Sequence, residues 1–157
     1  MSLQDMNITV RELSAGDGEL VNEFFDGMCG ETRALFNRRD YNRRRALKYC
    51  KSPDKTRKYY LFERDGAMVA LLFFLGFHTT VPELGLAVRD ELRGKGLGGE
   101  IMRFAIDMAR SEGAGAIELT THTANLRAQA LYEKHGFECM GLAKNGTELY
   151  YRLRFLK

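Results

Sequence analysis

The sequence predicts one mixed α/β domain over residues 1–157, and three features predict it. Short apolar runs of strand character recur along the chain. Segments with apolar residues at helical spacing separate several of them, and Asp-Gly and Asn-Gly turns join others directly. A chain of 157 residues, 45% hydrophobic and 29% charged, suits a single domain of ordinary globular composition. It shows no internal repeat, linker or low-complexity tract.

Ile8 to Leu13 alternates apolar and polar residues and reads as the first strand. Ser14 to Gly18 breaks it, and Glu19 to Met28 carries Leu20, Phe24 and Phe25 at helical spacing. A strongly basic segment follows. Its apolar residues Ala34, Leu35, Tyr41, Ala46, Leu47 and Tyr49 predict a second helix, ended at Pro53 because proline lacks the backbone donor. Tyr59 to Glu63 and Ala67 to Phe77 flank Arg64-Asp65-Gly66, a hairpin signal. Val81 to Val88 is another strand, followed by a glycine-rich loop and a helix from about Gly98 to Glu112, stopped by Gly113. Ala116 to Thr121 is a strand, Asn125 to His135 a helix ended by Gly136, and Phe137 to Leu142 with Glu148 to Phe155 a closing hairpin. The order is β-α-α-β-β-β-α-β-α-β-β.

Several classes are argued against by composition. The longest apolar run, Met68 to Phe77, is ten residues, about half of what a spanning helix needs, and no secretory leader opens the chain. Cys29, Cys50 and Cys139 are scattered, with no Cys-x-x-Cys, and His78, His122 and His135 form no metal-binding pattern. The expectation is a cytoplasmic protein with reduced thiols and no metal. The net charge of +3 conceals an asymmetry: residues 31–58 hold eleven Lys or Arg against Glu31, Asp40 and Asp54, while the remainder is net acidic.

Arg93-Gly94-Lys95-Gly96-Leu97-Gly98-Gly99 is the most informative stretch. Glycines between a strand and a helix let backbone amides approach an anion, and the helix N-terminus favours phosphate. The nucleotide P-loop pattern fails, because Lys95 is followed by Gly96 rather than Ser or Thr. Gly94, Gly96 and Gly99, with Glu118 some 20 residues on, match the dinucleotide fingerprint. Against it, Arg89 to Arg93 separate the strand from the first glycine, and too few βαβ units follow.

Arg93, Gly96 and Gly98 fit Arg-x-x-Gly-x-Gly better. With Leu84-Gly85-Leu86-Ala87-Val88 before them, they resemble the pyrophosphate loop of the GNAT superfamily of acyl-CoA-dependent N-acyltransferases. Asn125 to Phe137 resembles that family's Asn-x-x-Ala-x-x-Leu-Tyr-x-x-x-Gly-Phe block. The two blocks span residues 84–141, and the element order is similar to the family's over nearly the whole chain. The resemblance implies a central twisted, mostly antiparallel sheet of about seven strands flanked by about four helices. It implies acetyl-CoA as co-substrate and an amine acceptor. Leu86, Ala87 and Val88 would hold the pantetheine arm at a strand splay, and residues Arg93, Gly94, Lys95, Gly96, Leu97, Gly98 and Gly99 the pyrophosphate.

Acyl transfer needs a neutral amine, a place for the developing oxyanion and a proton for the leaving thiolate. Backbone amides near Val88 suit the oxyanion. Tyr132 lies seven residues after Asn125, within ~20° on one helix face. By resemblance Tyr132 is the general acid and Asn125 orients the cofactor arm; otherwise Tyr132 packs its helix on the sheet, the commoner use of such a residue. Glu83, at the start of the central strand, is the candidate base for the acceptor, with Glu118 and His122 as rivals, and such edge carboxylates are commonly just solvated. His78 reads as a loop residue, and Gly136 between His135 and Cys139 argues against a Cys–His pair.

The basic segment falls where family members build much of the acceptor site, so an acidic acceptor is favoured electrostatically. A solvated helix face explains the same charges equally well. A nucleic-acid-binding module and a non-catalytic acyl-CoA sensor are the rivals. Phe36, Tyr41 and Tyr49 pattern as a core stripe rather than a stacking platform, and Asn125, Tyr132 and the glycine loop are intact. Homodimers are common in the family; nothing in this sequence specifies one.

Overall fold

A computed structural model describes residues 2–155. Its sheet has seven strands: β1 (Thr9–Glu12), β2 (Arg57–Arg64), β3 (Ala67–Leu75), β4 (Glu83–Val88), β5 (Ala116–His122), β6 (Glu138–Leu142) and β7 (Glu148–Arg154). Their spatial order is β1-β2-β3-β4-β5-β7-β6, antiparallel at every step except β4–β5. The α-helices are α1 (Gly18–Asp26), α2 (Gly30–Phe36), α3 (Tyr41–Lys51), α4 (Leu97–Ser111) and α5 (Leu126–Lys134).

Local chemistry sets most boundaries where the sequence puts them. Asp65 and Gly66 both have positive φ, 52° and 79°, the geometry of the two-residue turn that matches strand twist. Before α1, Ser14 N donates to the Asp17 carboxylate, and Arg11 Nη1 and Nη2 grip it, all at 2.7 Å. Gly113 (φ 86°) follows the end of α4 and Gly136 (φ 92°) the end of α5.

The basic segment departs from expectation: it forms two helices, α2 and α3, rather than one, giving five in all. Asn37 is the cause. Its buried side chain accepts the amides of Asn42 at 2.9 Å and Arg43 at 3.1 Å, and donates to Asp40 at 3.1 Å. It thus caps α3 from before its start, while Arg39 and Asp40 turn left-handed at φ 55° and 56°. The apolar spacing in the sequence runs across this break and hides it, but Ala34 and Tyr41, read as stripe members, are exposed, so the stripe itself is interrupted there.

The sheet's two faces carry two cores. On one, Tyr60, Phe62, Leu72 and Phe74 pack with Ile101, Met102 and Ala105 of α4 and with Tyr132, Phe137 and Tyr151. On the other, Tyr59, Leu61, Leu71 and Phe73 pack with Val21, Phe24 and Phe25 of α1 and Ala46, Tyr49 and Cys50 of α3. β3 is covered on both faces, so it reads as an unbroken apolar run. Tyr49 and Phe36 are committed to this packing, Phe36 lying against Phe25 and Phe73 with ring centroids 6.4 Å apart in each pair.

Phe73 stands opposite Gly85 across β3 and β4, and its ring lies on the Gly85 backbone. A Cβ at Gly85 would sit 2.2 Å from Phe73 Cζ. Gly85→Ala is therefore expected to destabilise the protein by ~1–3 kcal/mol in urea melts, and by clearly less in a Phe73→Leu background. Equal losses in both backgrounds would exclude the contact as the cause.

Candidate active site

β4 and β5 are parallel neighbours that register at one pair, Glu83 with Glu118, closed by Glu118 N donating to Pro82 O at 3.1 Å. Beyond it they part. β4 stays zipped to β3 up to Val88, and Arg89 N donates to Val69 O at 2.9 Å. With the period of two along an antiparallel ladder, the amides of Gly85 and Ala87 face β3, and those of Leu86 and Val88 face the gap. Leu86, Ala87 and Val88 line a cleft of about 580 Å³ that opens there.

The glycine loop forms one end of that cleft. Gly94 and Gly96 have φ of 76° and 88°, which L side chains adopt only under strain, and Gly96 immediately precedes α4. Among the described residues, none of the backbone amides of residues 94–99 donates a hydrogen bond within the chain. Leu97 buries its side chain in the core and anchors the helix start, so only its backbone is left for a ligand. Gly98 and Gly99 face α5: a Cβ there would make ordinary contact, 3.4 Å from Leu131 and 3.7 Å from His135. Six amides at a helix N-terminus, with Arg93, Arg103, Arg127 and Lys134 around the cleft, form a cradle for phosphate. Lys95 is exposed and does not line it.

Arg93 is held in place. Its Nη2 donates to Thr32 Oγ1 at 2.8 Å and lies 3.2 Å from Asp90 Oδ1. Asp90 also accepts Thr32 Oγ1 at 2.7 Å and the Cys29 amide at 2.8 Å. Partial burial works to raise the Asp90 carboxyl, but the hydrogen bonds from Cys29 and Thr32 and the Arg93 charge outweigh it and hold it below the ordinary range. The start of α2 is thereby tied to the phosphate loop. Glu31, Thr32, Leu35 and Phe36 of α2 form a wall of the cleft that the sequence did not reveal.

Of the sequence-predicted site residues, Leu86, Ala87, Val88, Arg93, Gly94, Gly96, Gly98, Gly99, Asn125 and Tyr132 converge on the cleft, and Glu83, Lys95 and Leu97 do not line it. Asn125 caps α5, its Oδ1 accepting Ala128 N at 3.2 Å. Tyr132 reaches the cleft from a nest of Phe137 and Tyr151, and burial, with Tyr151 adding to it, pushes its hydroxyl up to about 12. Glu83 stands three residues, roughly 10 Å, before Leu86 along β4. Partial desolvation raises its carboxyl, with Arg45 opposing and Glu148 and Glu118 reinforcing. Glu118 is gripped by Arg152 at 2.9 and 3.1 Å, and His122 Nδ1 accepts the Ala124 amide at 3.0 Å, so both rivals are committed elsewhere. His78 is exposed in a loop. Arg127, Leu131, Lys134 and His135 were legible as one α5 face at spacings of four, seven and eight. Among the described residues no group of three or more His, Cys, Asp or Glu is placed to hold a metal, and no helix is long and apolar enough to cross a membrane.

A parted parallel strand pair with inward-facing amides runs into a glycine-built turn rich in unpaired amides, an arrangement chemically suited to an elongated ligand that bears phosphate. The profile of the Acetyltransferase (GNAT) family matches residues 21–137, and the chain belongs to that family. It is 25% identical over 144 residues to an L-methionine sulfoximine/L-methionine sulfone acetyltransferase of Pseudomonas aeruginosa, covering 87% of this chain and 83% of that one. A relative from Bacillus subtilis that carries the name "putative [ribosomal protein bS18]-alanine N-acetyltransferase" is 28% identical over 87 residues; the match covers 55% of this chain and 58% of that one, under two thirds of the relative's length. Among solved structures, the PaiA N-acetyltransferase of Thermoplasma acidophilum in complex with coenzyme A shares the fold, with TM-score 0.79 at 18% identity over 94% of this chain and 99% of that one.

Thr32→Val removes a donor and an acceptor from the Asp90–Arg93 network. It is expected to lower stability by ~1–2 kcal/mol and weaken CoA binding, with Thr32→Ser restoring both. The depressed Asp90 carboxyl adds stability that is present above its unfolded-state pKa and lost as pH falls through its folded value. Asp90→Asn should flatten the acid limb of a stability-versus-pH series; an unchanged limb would show the network carries no net stability.

Proposed function

We propose that this protein is an N-acetyltransferase of reducing, cytoplasmic surroundings that moves an acetyl group from acetyl-CoA to a primary amine on a small molecule or protein. The observation that carries this reading is the continuity of the cleft: the inward amides of Leu86 and Val88 adjoin the unpaired amides of residues 94–99. The three cysteines are free, which suits that setting.

The amine nitrogen attacks the thioester carbon, and the oxygen that gains charge is stabilised by the Leu86 and Val88 amides. The C–S bond then breaks, and the thiolate takes the Tyr132 hydroxyl proton. A hydroxyl pushed to about 12 stays protonated at neutral pH. It is a weaker acid than a thiol of pKa ~8.5, so the transfer is uphill and is drawn forward when solvent reprotonates the tyrosinate. Glu83, its basicity increased by partial desolvation, takes the ammonium proton through water across the ~10 Å to Leu86. Arg127 and Lys134, seven residues apart on α5, add charge toward the cofactor's phosphates. The cations of residues 31–58 favour an acceptor carrying negative charge.

An amine panel read by release of free CoA thiol tests this directly. Tyr132→Phe is expected to lower kcat by ~10²–10⁴ with CoA affinity within about twofold of wild type. Turnover at the wild-type rate would remove Tyr132 from the reaction. Gly99→Glu places an acid in the first turn of α4, where the helix dipole tolerates it, against the cofactor's phosphates. The variant should fold and lose CoA binding in calorimetry; retained affinity would overturn the loop assignment.

A further inference from the structure

A second cleft, of about 420 Å³, lies between the last turns of α3 and the start of β2 and shares no lining residue with the acyl-transfer cleft. Arg45, Lys48, Lys55 and Arg57 line it, with Tyr49, Ser52 and Asp54. These cations come from three places in the chain, namely α3, the loop after it and β2, so their convergence is a product of the fold.

Their convergence around one concavity is what separates them from an ordinary basic surface. In the same segment Arg43 is used internally, holding Asp26 at 2.6 Å and Asp40 at 3.4 Å, and Lys58 holds Glu12 at 3.2 Å, while the exposed Arg44 and Lys51 of α3 do not line this cleft. Around the cleft, Arg45, Lys48 and Lys55 have no carboxylate partner among the described residues. Arg57 reaches only Asp54, at 4.0 Å. Asp54 is itself engaged, its Oδ1 accepting Thr56 N and Thr56 Oγ1 at 2.8 Å each. Lys48 also complements the C-terminal end of α3, but Arg45 lies mid-helix and Lys55 and Arg57 lie beyond it, so the helix dipole does not account for the set. Four like charges around one concavity repel one another, and a multivalent anion placed among them relieves that repulsion.

We propose that this cleft is a second ligand site, for a small polyanion bearing phosphate or several carboxylates, held by Arg45 and Arg57 with Lys48 and Lys55 closing over it. Arg57 registers with Leu75 on β3, and Leu75 with Glu83 on β4, so an occupant would sit at the end of the sheet where β4 begins.

Calorimetry on protein saturated with acetyl-CoA, titrated with inorganic pyrophosphate and separately with citrate, tests the site. One saturable site is expected, lost or weakened at least tenfold in Arg45→Gln/Arg57→Gln and unchanged in Lys58→Gln, whose cation pairs elsewhere. Gly99→Glu, with the glycine loop blocked, is expected to bind the same probe as wild type, so failure of the acetyl-CoA assignment leaves this result readable. Pyrophosphate alone binding identifies a phosphate ligand, and citrate alone a polycarboxylate. Heats that chloride reproduces at equal ionic strength, or a double variant that binds as tightly as wild type while melting normally, would overturn the proposal.

Discussion

The parting of β4 and β5 is the constraint on which the rest of this structure depends. Two parallel strands that begin as neighbours at Glu83 and Glu118 are each held on their far side, β4 by the β3 ladder and β5 by seven registered pairs with β7. Beyond the Glu83–Glu118 pair each strand follows its own ladder and the two diverge. The amides of Leu86 and Val88 are left facing a cleft with no strand to receive them. Unpaired backbone donors in a concave site are costly, and a ligand carbonyl recovers that cost. Phe73 over Gly85 keeps the neighbouring strand pair tight where β4 begins to diverge.

The glycine loop continues the same logic with charge. Positive φ at Gly94 and Gly96 turns successive amides toward one side, and the first turn of α4 adds its own. The loop does not stand alone. Asp90 gathers the Cys29 amide, the Thr32 hydroxyl and the Arg93 guanidinium, fastening α2 to it. The wall of the cleft formed by Thr32 and Phe36 is therefore bonded directly to the glycine loop's flank. Tyr132 enters from the opposite side, its ring fixed by Phe137 and Tyr151, which explains both its position and its reluctance to ionise.

The basic segment uses its charges in different ways. Arg43 and Lys58 pair with carboxylates and hold elements together, while Arg45, Lys48 and Lys55 face the second cleft with no carboxylate partner among the described residues and Arg57 reaches only Asp54. The sequence shows only a block of positive charge. Which members are spent internally depends on where Asp26, Asp40 and Glu12 arrive in space.

Strand order in sequence, the hairpin at Asp65-Gly66, the stops at Gly113 and Gly136 and the glycine turn of residues 94–96 were all determined by the sequence itself. Each rests on a short-range rule, a positive φ or a period of two or 3.6, that neighbours in the chain satisfy. The break between α2 and α3 is local too, yet it was masked, because Asn37 acts by side-chain hydrogen bonds that periodicity does not register. Only the tertiary structure decided that Leu97 serves the core and that Glu83 stands back from the cleft. It alone tied α2 to the glycine loop, through bonds between residues 58 to 61 positions apart. Contacts at that separation depend on how two helices and a sheet pack, and no spacing rule within the chain encodes them.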